Sequence, residues 1–202
     1  LHTGMEKTGE QLTYMQGGTN VTRMDYLSPL NNELAFSLAV EKLLGIDGDV
    51  PERAVWMRML LSELNRMSSH LLFLATNGMD IGAVSMMLYG WREREEVLRF
   101  FQKVTGLRMN HNFIRPGGLA ADLPAGWRDD VLDILAMLPA RMEEYEILMN
   151  GQPIWRERLQ GVGVITAQEA MALGTSGPIL RSTGVAWDLR KHMPYLHYDQ
   201  VD

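Results

Sequence analysis

The chain has 202 residues, 46% of them hydrophobic and 22% charged, a balance that fits one large or two small folded domains and excludes a disordered chain. A formal net charge of −6 argues against a phosphate-backbone partner, whose capture rests on Lys and Arg. With no cysteine, the chain has no disulfide, no catalytic thiol and no thiolate ligand for zinc, iron–sulfur or nickel–iron centres.

The opening run Leu1-His2-Thr3-Gly4-Met5-Glu6-Lys7 has no signal-peptide apolar core. Together with the lack of an initiator Met and the abrupt end at Asp202, it leads us to expect a piece of a longer protein. The longest strictly apolar run, Leu71 to Ala75, is far short of the roughly 20 residues that a bilayer span needs.

Ser28-Pro29, a cap followed by Pro at the first helical position, predicts a helix over 29–44 that stops at Gly45. Its expected apolar positions are Leu34, Leu38, Val40, Leu43 and Leu44. Pro51 opens a longer helix, with Val55, Met59, Leu60, Leu64, Met67, Leu71 and Leu74 spaced by threes and fours. It should end near Asn77-Gly78. A third helix is expected from about Ala83 to Thr105. Its charged middle, Arg92-Glu93-Arg94-Glu95-Glu96, reads as a solvated face. Residues 108–124, with Pro116-Gly117-Gly118, read as an ordered loop. Trp127 to Met149 reads as a helix with Leu132, Leu135, Met142 and Ile147 apolar, and Pro139 should kink or break it. Beyond Gly151, short apolar pieces among Gly, Ser and Thr predict a mixed region of short helices and strands. The expected architecture is therefore mainly α: a helical bundle over 1–150, then a smaller mixed region over 151–202. The fifteen Met read as flexible core filler, or as an adaptable surface for a flat lipophilic ligand.

Few local motifs carry chemistry. Gly161-x-Gly163 lacks the third glycine and the preceding strand of a dinucleotide loop, so a tight turn is the better reading. His2, His70, His111, His192 and His197 show no metal-ligand spacing, and no Gly-x-Ser-x-Gly elbow is present. Glu63, Arg66 and His70 share a helix stripe, read as an ion-pair ladder or as part of a proton path. Two polar features sit in apolar company. The first is the knot Thr22-Arg23-Met24-Asp25-Tyr26-Leu27-Ser28, where Tyr26 is either structural or functional. The second is Met79-Asp80-Ile81-Gly82-Ala83, where Asp80 is either the cap of the next helix or functional.

Ordered blocks along the whole chain resemble one family. They are Leu1-His2-Thr3-Gly4-x-Glu6-Lys7, Arg23-Met24-Asp25-Tyr26-Leu27-Ser28, and Ala39-Val40-Glu41-Lys42-Leu43-Leu44-Gly45-Ile46. Further on come Glu63-Leu64-Asn65-Arg66-x-x-Ser69-His70, Met79-Asp80-Ile81-Gly82-Ala83, Arg92-Glu93-Arg94-Glu95, Ile114-Arg115-Pro116-Gly117-Gly118, and Trp187-Asp188-Leu189-Arg190-Lys191 through Val201. The chain resembles the quinone-site subunit of respiratory complex I: the D-type subunit of the bacterial NADH:quinone oxidoreductase, counterpart of the mitochondrial 49-kilodalton subunit. It resembles roughly the middle half of that family's length.

The family is related to the large subunit of nickel–iron hydrogenases, so the resemblance implies a similar helical fold. Where a hydrogenase has two metal-binding cysteines, this chain has Asp25 and Ser28, and neither replaces a bridging thiolate for a soft metal. The resemblance implies quinone as substrate, no metal or nucleotide bound by this chain, an iron–sulfur cluster in a partner subunit, and NAD bound elsewhere in the complex. It implies that Tyr26 hydrogen-bonds a quinone carbonyl and donates a proton, and that Asp80 pairs with a histidine upstream of residue 1. Thr76 and Met79 fall at pocket-wall positions. Arg23, Arg108 and His111 fall near the partner's cluster; mitochondrial members have Arg-Met-His where this chain has Arg108-Met109-Asn110, with His111 next. The implied setting is the peripheral arm on the cytoplasmic side of the bacterial inner membrane. The implied partners are the iron–sulfur subunit, other peripheral-arm subunits and a membrane-arm subunit at the quinone entrance, with no nucleic acid. The competing readings are a membrane-bound hydrogenase-like large subunit and a non-catalytic scaffold.

Overall fold

A computed structural model describes residues 2–201; Leu1, which opens the first family-like block, and Asp202 lie outside the described residues. The chain forms two compact units, Leu1–Gln152 and Pro153–Asp202.

The first unit is built on helices. Helices α1 (Met5–Gly9) and α2 (Tyr14–Val21) lead into α3 (Pro29–Leu44), α4 (Glu52–Ile81) and α5 (Met86–Thr105). A two-stranded hairpin follows, β1 (Ile114–Arg115) with β2 (Gly118–Leu119), and then α6 (Trp127–Leu148). Helix α2 starts at a capping box in which Thr13 and Gln16 satisfy each other's backbone N–H groups. The bounds of α3 match its sequence signals, Pro at the first position and left-handed Gly45 at the end.

The longest helix, α4, spans about 45 Å at 1.5 Å per residue. It runs past the expected stop at Gly78 and ends at left-handed Gly82. Gly78 instead admits a neighbour: a Cβ there would lie 2.7 Å from Met86 Cβ. Gly90 does the same from α5, where a Cβ would lie 2.7 Å from both Ala75 Cβ and the Leu71 carbonyl oxygen. These two contacts bring α4 and α5 close, with Val97, Leu98, Phe101, Leu64, Leu71 and Ala75 in the core. The third helix starts later than expected, at Met86, because residues 83–85 form the turn between α4 and α5.

Several expectations are corrected. Glu93 and Arg94 are not on a solvated face; both are buried. Arg94 Nη1 donates to Ser68 O and Oγ at 2.8 and 2.7 Å, and Glu93 faces Arg92, Arg141 and the Tyr145 hydroxyl. On α3, Leu43 and Leu44 are exposed; the buried stripe is Leu30, Glu33, Leu34, Ser37, Val40 and Glu41. Residues 108–124 are not all loop, since Ile114 pairs with Leu119 and Arg115 with Gly118. The Pro116-Gly117 order with Gly117 at φ 88° suits the two central positions of a type II turn.

Helix α6 is continuous through Pro139, which lies on its exposed side where the carbonyl it leaves unpaired can meet water. Its buried residues are Val131, Ile134 and Tyr145; Leu132, Leu135, Met142 and Ile147 are exposed instead. The methionines divide, Met57, Met59, Met86 and Met149 being buried while Met15, Met24 and Met171 are exposed.

The second unit holds α7 (Pro153–Leu159), α8 (Ala167–Ala172), α9 (Gly177–Ser182), α10 (Leu189–His192) and a 3-10 turn at Tyr198–Gln200. Among its described residues there is no strand, so the expected strands after residue 151 are replaced by helix or irregular chain. Thr166 and Glu169 form a capping box for α8, and Ala170 and Leu180 are the buried residues of α8 and α9. Gly161 and Gly163 both have positive φ and follow a helix rather than a strand, as a turn requires. Among the described residues no helix is long and apolar enough to cross a membrane.

Candidate functional site

Segment 22–28, between α2 and α3, is pinned at both ends and exposed in the middle. Thr22 is buried, and its hydroxyl donates to Glu33 Oε1 at 2.5 Å. Ser28 Oγ accepts from Asn31 Nδ2 at 2.8 Å and from Asn65 Nδ2, on α4, at 2.6 Å. Asn32 Nδ2 donates to the Asp25 carbonyl at 2.9 Å, and Asp25 Oδ1 accepts from the Leu27 amide at 3.2 Å. Arg23 bonds back to the Thr19 carbonyl. Between these ties Tyr26 is 59% exposed, and its hydroxyl has no hydrogen-bond partner among the described residues. The ordinary reading of Tyr26, a buried tyrosine with a partner, therefore does not hold.

Thr76, Met79 and Asp80 lie in the last two turns of α4. Thr76 Oγ1 donates to the Leu72 carbonyl one turn back, at 2.9 Å. Asp80 is exposed and within the helix, so it does not cap α5, whose N-cap residue is Ser85. No hydrogen bond or ring contact joins Tyr26 to Thr76, Met79 or Asp80 among the described residues. About three to four turns before Thr76, Glu63 and Arg66 pair at 3.2 Å.

Loop 107–113 is held from several sides. Arg108 forks onto Glu95 at 2.7 and 2.6 Å, which holds that carboxyl below the usual range. Arg94 Nη2 reaches Met109 Sδ at 4.0 Å. His111, 6% exposed, sets its ring edge-on to Phe101 at 5.1 Å. Its Nε2 lies 3.1 Å from the Arg108 carbonyl, which assigns the proton to Nε2 and leaves Nδ1 buried with no partner among the described residues. Burial pulls the imidazole down to about 4, so it is neutral at pH 7.

Glu33 ties this loop to the first segment. Its Oε1 accepts from Thr22 and from the Asn112 amide at 2.6 Å; its Oε2 accepts from the Phe113 and Ile114 amides at 2.8 and 3.0 Å. Burial pushes its carboxyl up and the four donors pull it back, with burial the larger effect. Further along α3, Glu41 accepts from Arg58 and from the Gly117 amide, and Arg58 also donates to the Arg115 and Gly118 carbonyls. The structure thus joins the Arg23–Tyr26 segment to the Arg108–His111 loop, while Thr76, Met79 and Asp80 form a separate group.

Glu33, Glu41 and Arg58 were not among the sequence candidates. A readable signal existed: glutamates at 33 and 41 share the spacing of Leu30, Leu34 and Val40, so a helix that buries those apolar side chains buries the carboxylates too. Among the described residues no three His, Asp or Glu side chains converge as a metal site requires.

A sequence profile of the family described as respiratory-chain NADH dehydrogenase, 49 Kd subunit, matches residues 80–202. The chain is 56% identical over all 202 residues to a D-type NADH-quinone oxidoreductase subunit of Salinispora arenicola, covering 46% of that protein. It is 55% identical to the D-type subunit of Acidothermus cellulolyticus and 56% identical to that of Mycolicibacterium smegmatis, again over 202 residues and 46% of each relative. The chain spans about half the length of the curated relatives it matches. With the profile covering more than half of its residues, the chain belongs to the 49-kilodalton subunit family of the respiratory-chain NADH dehydrogenase.

Proposed function

We propose that this chain is part of the quinone-reducing subunit of a proton-translocating NADH:quinone oxidoreductase, and that segment 22–28 presents Tyr26 to the quinone headgroup. The family membership and the NADH-quinone oxidoreductase relatives matched along all 202 residues support the activity. The observation that carries the site is Tyr26 itself: an exposed phenol with no partner among the described residues, on a segment fixed at Thr22 and Ser28. A phenol free to donate, on a backbone tied at both ends, suits a hydrogen bond to a carbonyl oxygen that gains negative charge as it is reduced.

Reduction of a quinone to a quinol takes two electrons and two protons. The electrons come from an iron–sulfur cluster in a partner subunit. Tyr26 donates one proton to the carbonyl oxygen it faces. Asp80, exposed near the end of α4, orients and charges a histidine from the upstream part of the protein, which supplies the second. Thr76 and Met79 line the same wall. Arg23 holds fixed positive charge toward the partner cluster, which favours its reduced state, while Arg108, paired with Glu95, and the neutral His111 lie near it. The subunit sits in the peripheral arm on the cytoplasmic side of the membrane, against the iron–sulfur subunit and near the membrane arm where quinone enters. The exposed apolar residues of α6, Leu132, Leu135, Met142 and Ile147, fit a chain with further protein surface to cover.

The test is Tyr26→Phe in the full-length subunit, assembled in its membrane complex. NADH:quinone activity is compared with NADH:artificial-acceptor activity, which reports the electron path upstream of quinone. Quinone reduction should fall by about 10²-fold or more, as for loss of a positioned acid, with the acceptor rate retained. Retention of both rates refutes the site.

A further inference from the structure

We propose that Glu33 is a positioning residue that couples the segment carrying Arg23 and Tyr26 to the loop carrying Arg108 and His111, so that a change at one is felt at the other. The proposal rests on the functional reading above, in which the first segment meets quinone and the second faces the partner cluster.

Three observations carry it. The first is shared atoms. Thr22, next to Arg23, and Asn112, next to His111, both donate to Glu33 Oε1, at 2.5 and 2.6 Å. A displacement of either donor moves the oxygen that holds the other. Oε2 continues the grip along the Phe113 and Ile114 amides at 2.8 and 3.0 Å. The side chain is 0% exposed, so no water competes for these bonds.

The second observation is backbone geometry. Asn110 and Asn112, which flank His111, have φ of 55° and 47°, the left-handed region that asparagine enters more readily than other non-glycine residues. The Glu33 bonds begin at Asn112 itself, so the carboxylate holds one end of this turned stretch. Loss of the carboxylate frees the loop on the Asn112 side of His111.

The third is the absence of slack. A Cβ at Gly18 of α2 would overlap Asn112 Oδ1, so α2 and the loop already touch where Glu33 ties them. Helix α2 ends at Val21, directly before the segment in question.

The chemistry of the carboxylate makes the test specific. Glu33→Gln keeps the shape but offers one acceptor oxygen and one donor NH2. Whichever way the amide points, at least one backbone N–H then faces a donor, and one side of the tie opens. Thr22→Val keeps the shape of Thr22 and removes only its hydroxyl, on the quinone side.

Both variants are made in the full-length subunit within its membrane complex, beside Tyr26→Phe. Three readouts are taken: NADH:artificial-acceptor rate, KM and kcat for a short-chain quinone, and the EPR spectrum of the cluster nearest the quinone. With the acceptor rate retained, each variant should raise KM for quinone about fivefold or more, in the usual range of a site-to-site coupling, and alter the cluster's EPR line shape. The telling result is Thr22→Val, in which a change on the quinone side alters the cluster spectrum. If Glu33→Gln prevents assembly, Thr22→Val alone decides. An unchanged cluster spectrum in an assembled Thr22→Val complex overturns the proposal, as does a changed spectrum with unchanged KM where Tyr26→Phe abolishes quinone reduction. Failure of both variants to assemble overturns it too, since Glu33 would then be an element of folding only. The functional reading fails separately: if Tyr26→Phe leaves quinone reduction intact while Thr22→Val alters the spectrum, the coupling stands and the quinone assignment falls.

Discussion

The Glu41 carboxylate and the Arg58 guanidinium meet in two parallel hydrogen bonds, 2.6 and 3.1 Å long, with each side chain only 1% exposed. The pair is also fully engaged outward, Glu41 with the Gly117 amide and Arg58 with the Arg115 and Gly118 carbonyls. It therefore fixes α3, α4 and the β1–β2 turn to one another. Removal of one partner strands the other charge in a dry core, so Arg58→Met should cost about 3–5 kcal/mol of unfolding free energy. Adding Glu41→Leu should recover part of that loss, because the stranded carboxylate is gone. A double-mutant cycle by urea unfolding reads this coupling, and simple additivity would show that the two charges do not act as a pair.

His111 makes stability pH-dependent in a definite direction. Its imidazole is held near 4 in the fold against about 6.5 when exposed, so protonation favours the unfolded chain. The stability it contributes is complete above about pH 6.5 and is lost as pH falls toward 4, a loss of roughly 3 kcal/mol. Glu33, raised by burial, acts oppositely and gains from protonation over the acidic range. Comparison of wild type with His111→Leu isolates the histidine. The wild type should lose stability more steeply between pH 6.5 and 4, and parallel curves would mean that the imidazole is not held neutral.

Tyr145 on α6 places its hydroxyl against the Glu93 carboxylate and 3.0 Å from the Tyr89 carbonyl. Burial, with the neighbouring carboxylate, pushes its phenol up. Glu93 keeps Arg92 and Arg141 as ion partners, so Tyr145→Phe removes one donor without stranding a charge. We expect a cost of about 1–3 kcal/mol by denaturant unfolding. In alkaline titration of the wild type, Tyr145 should be the last tyrosine to ionise, and only as α6 leaves α5; early ionisation would show that the hydroxyl is not buried against Glu93.

The elements that could be read from the sequence are those specified by local chemistry. Ser28-Pro29 and Gly45 bound α3 because a helix start and a left-handed stop depend on residues within one turn. The Thr13–Gln16 and Thr166–Glu169 boxes belong to the same class, and they mark α2 and α8. The charged middle of α5 was not legible, because Glu93 finds Arg141 and Tyr145, and Arg94 finds Ser68, at separations of 26 to 52 residues. The candidate site divides in the same way. The residue types at Tyr26, Asp80, Arg108 and His111 could be read from motifs. The link between segments 22–28 and 108–114 could not, because it runs from Glu33 to backbone amides 79 to 81 residues away, which no side-chain pattern reveals.

Gly90 is a point of close approach between α4 and α5, and its role can be separated from helix propensity. Alanine is intrinsically better in a helix interior by about 1 kcal/mol, so a free site would gain from Gly→Ala. At Gly90 the added methyl would lie 2.7 Å from Ala75 Cβ and 2.7 Å from the Leu71 carbonyl oxygen. The second contact is with backbone in a long helix and cannot rotate away. The two helices must therefore move apart, which opens the core around Leu71, Val97 and Phe101 and weakens the Arg94–Ser68 bonds. Gly90→Ala should destabilise by about 1–3 kcal/mol despite its better propensity. Gly90→Ala combined with Ala75→Gly should not regain stability, because the Leu71 carbonyl contact remains and a glycine inside α4 costs about 1 kcal/mol more. Urea unfolding of the single and double variants measures both. A neutral or stabilising Gly90→Ala would mean that the helices stand further apart than these contacts require.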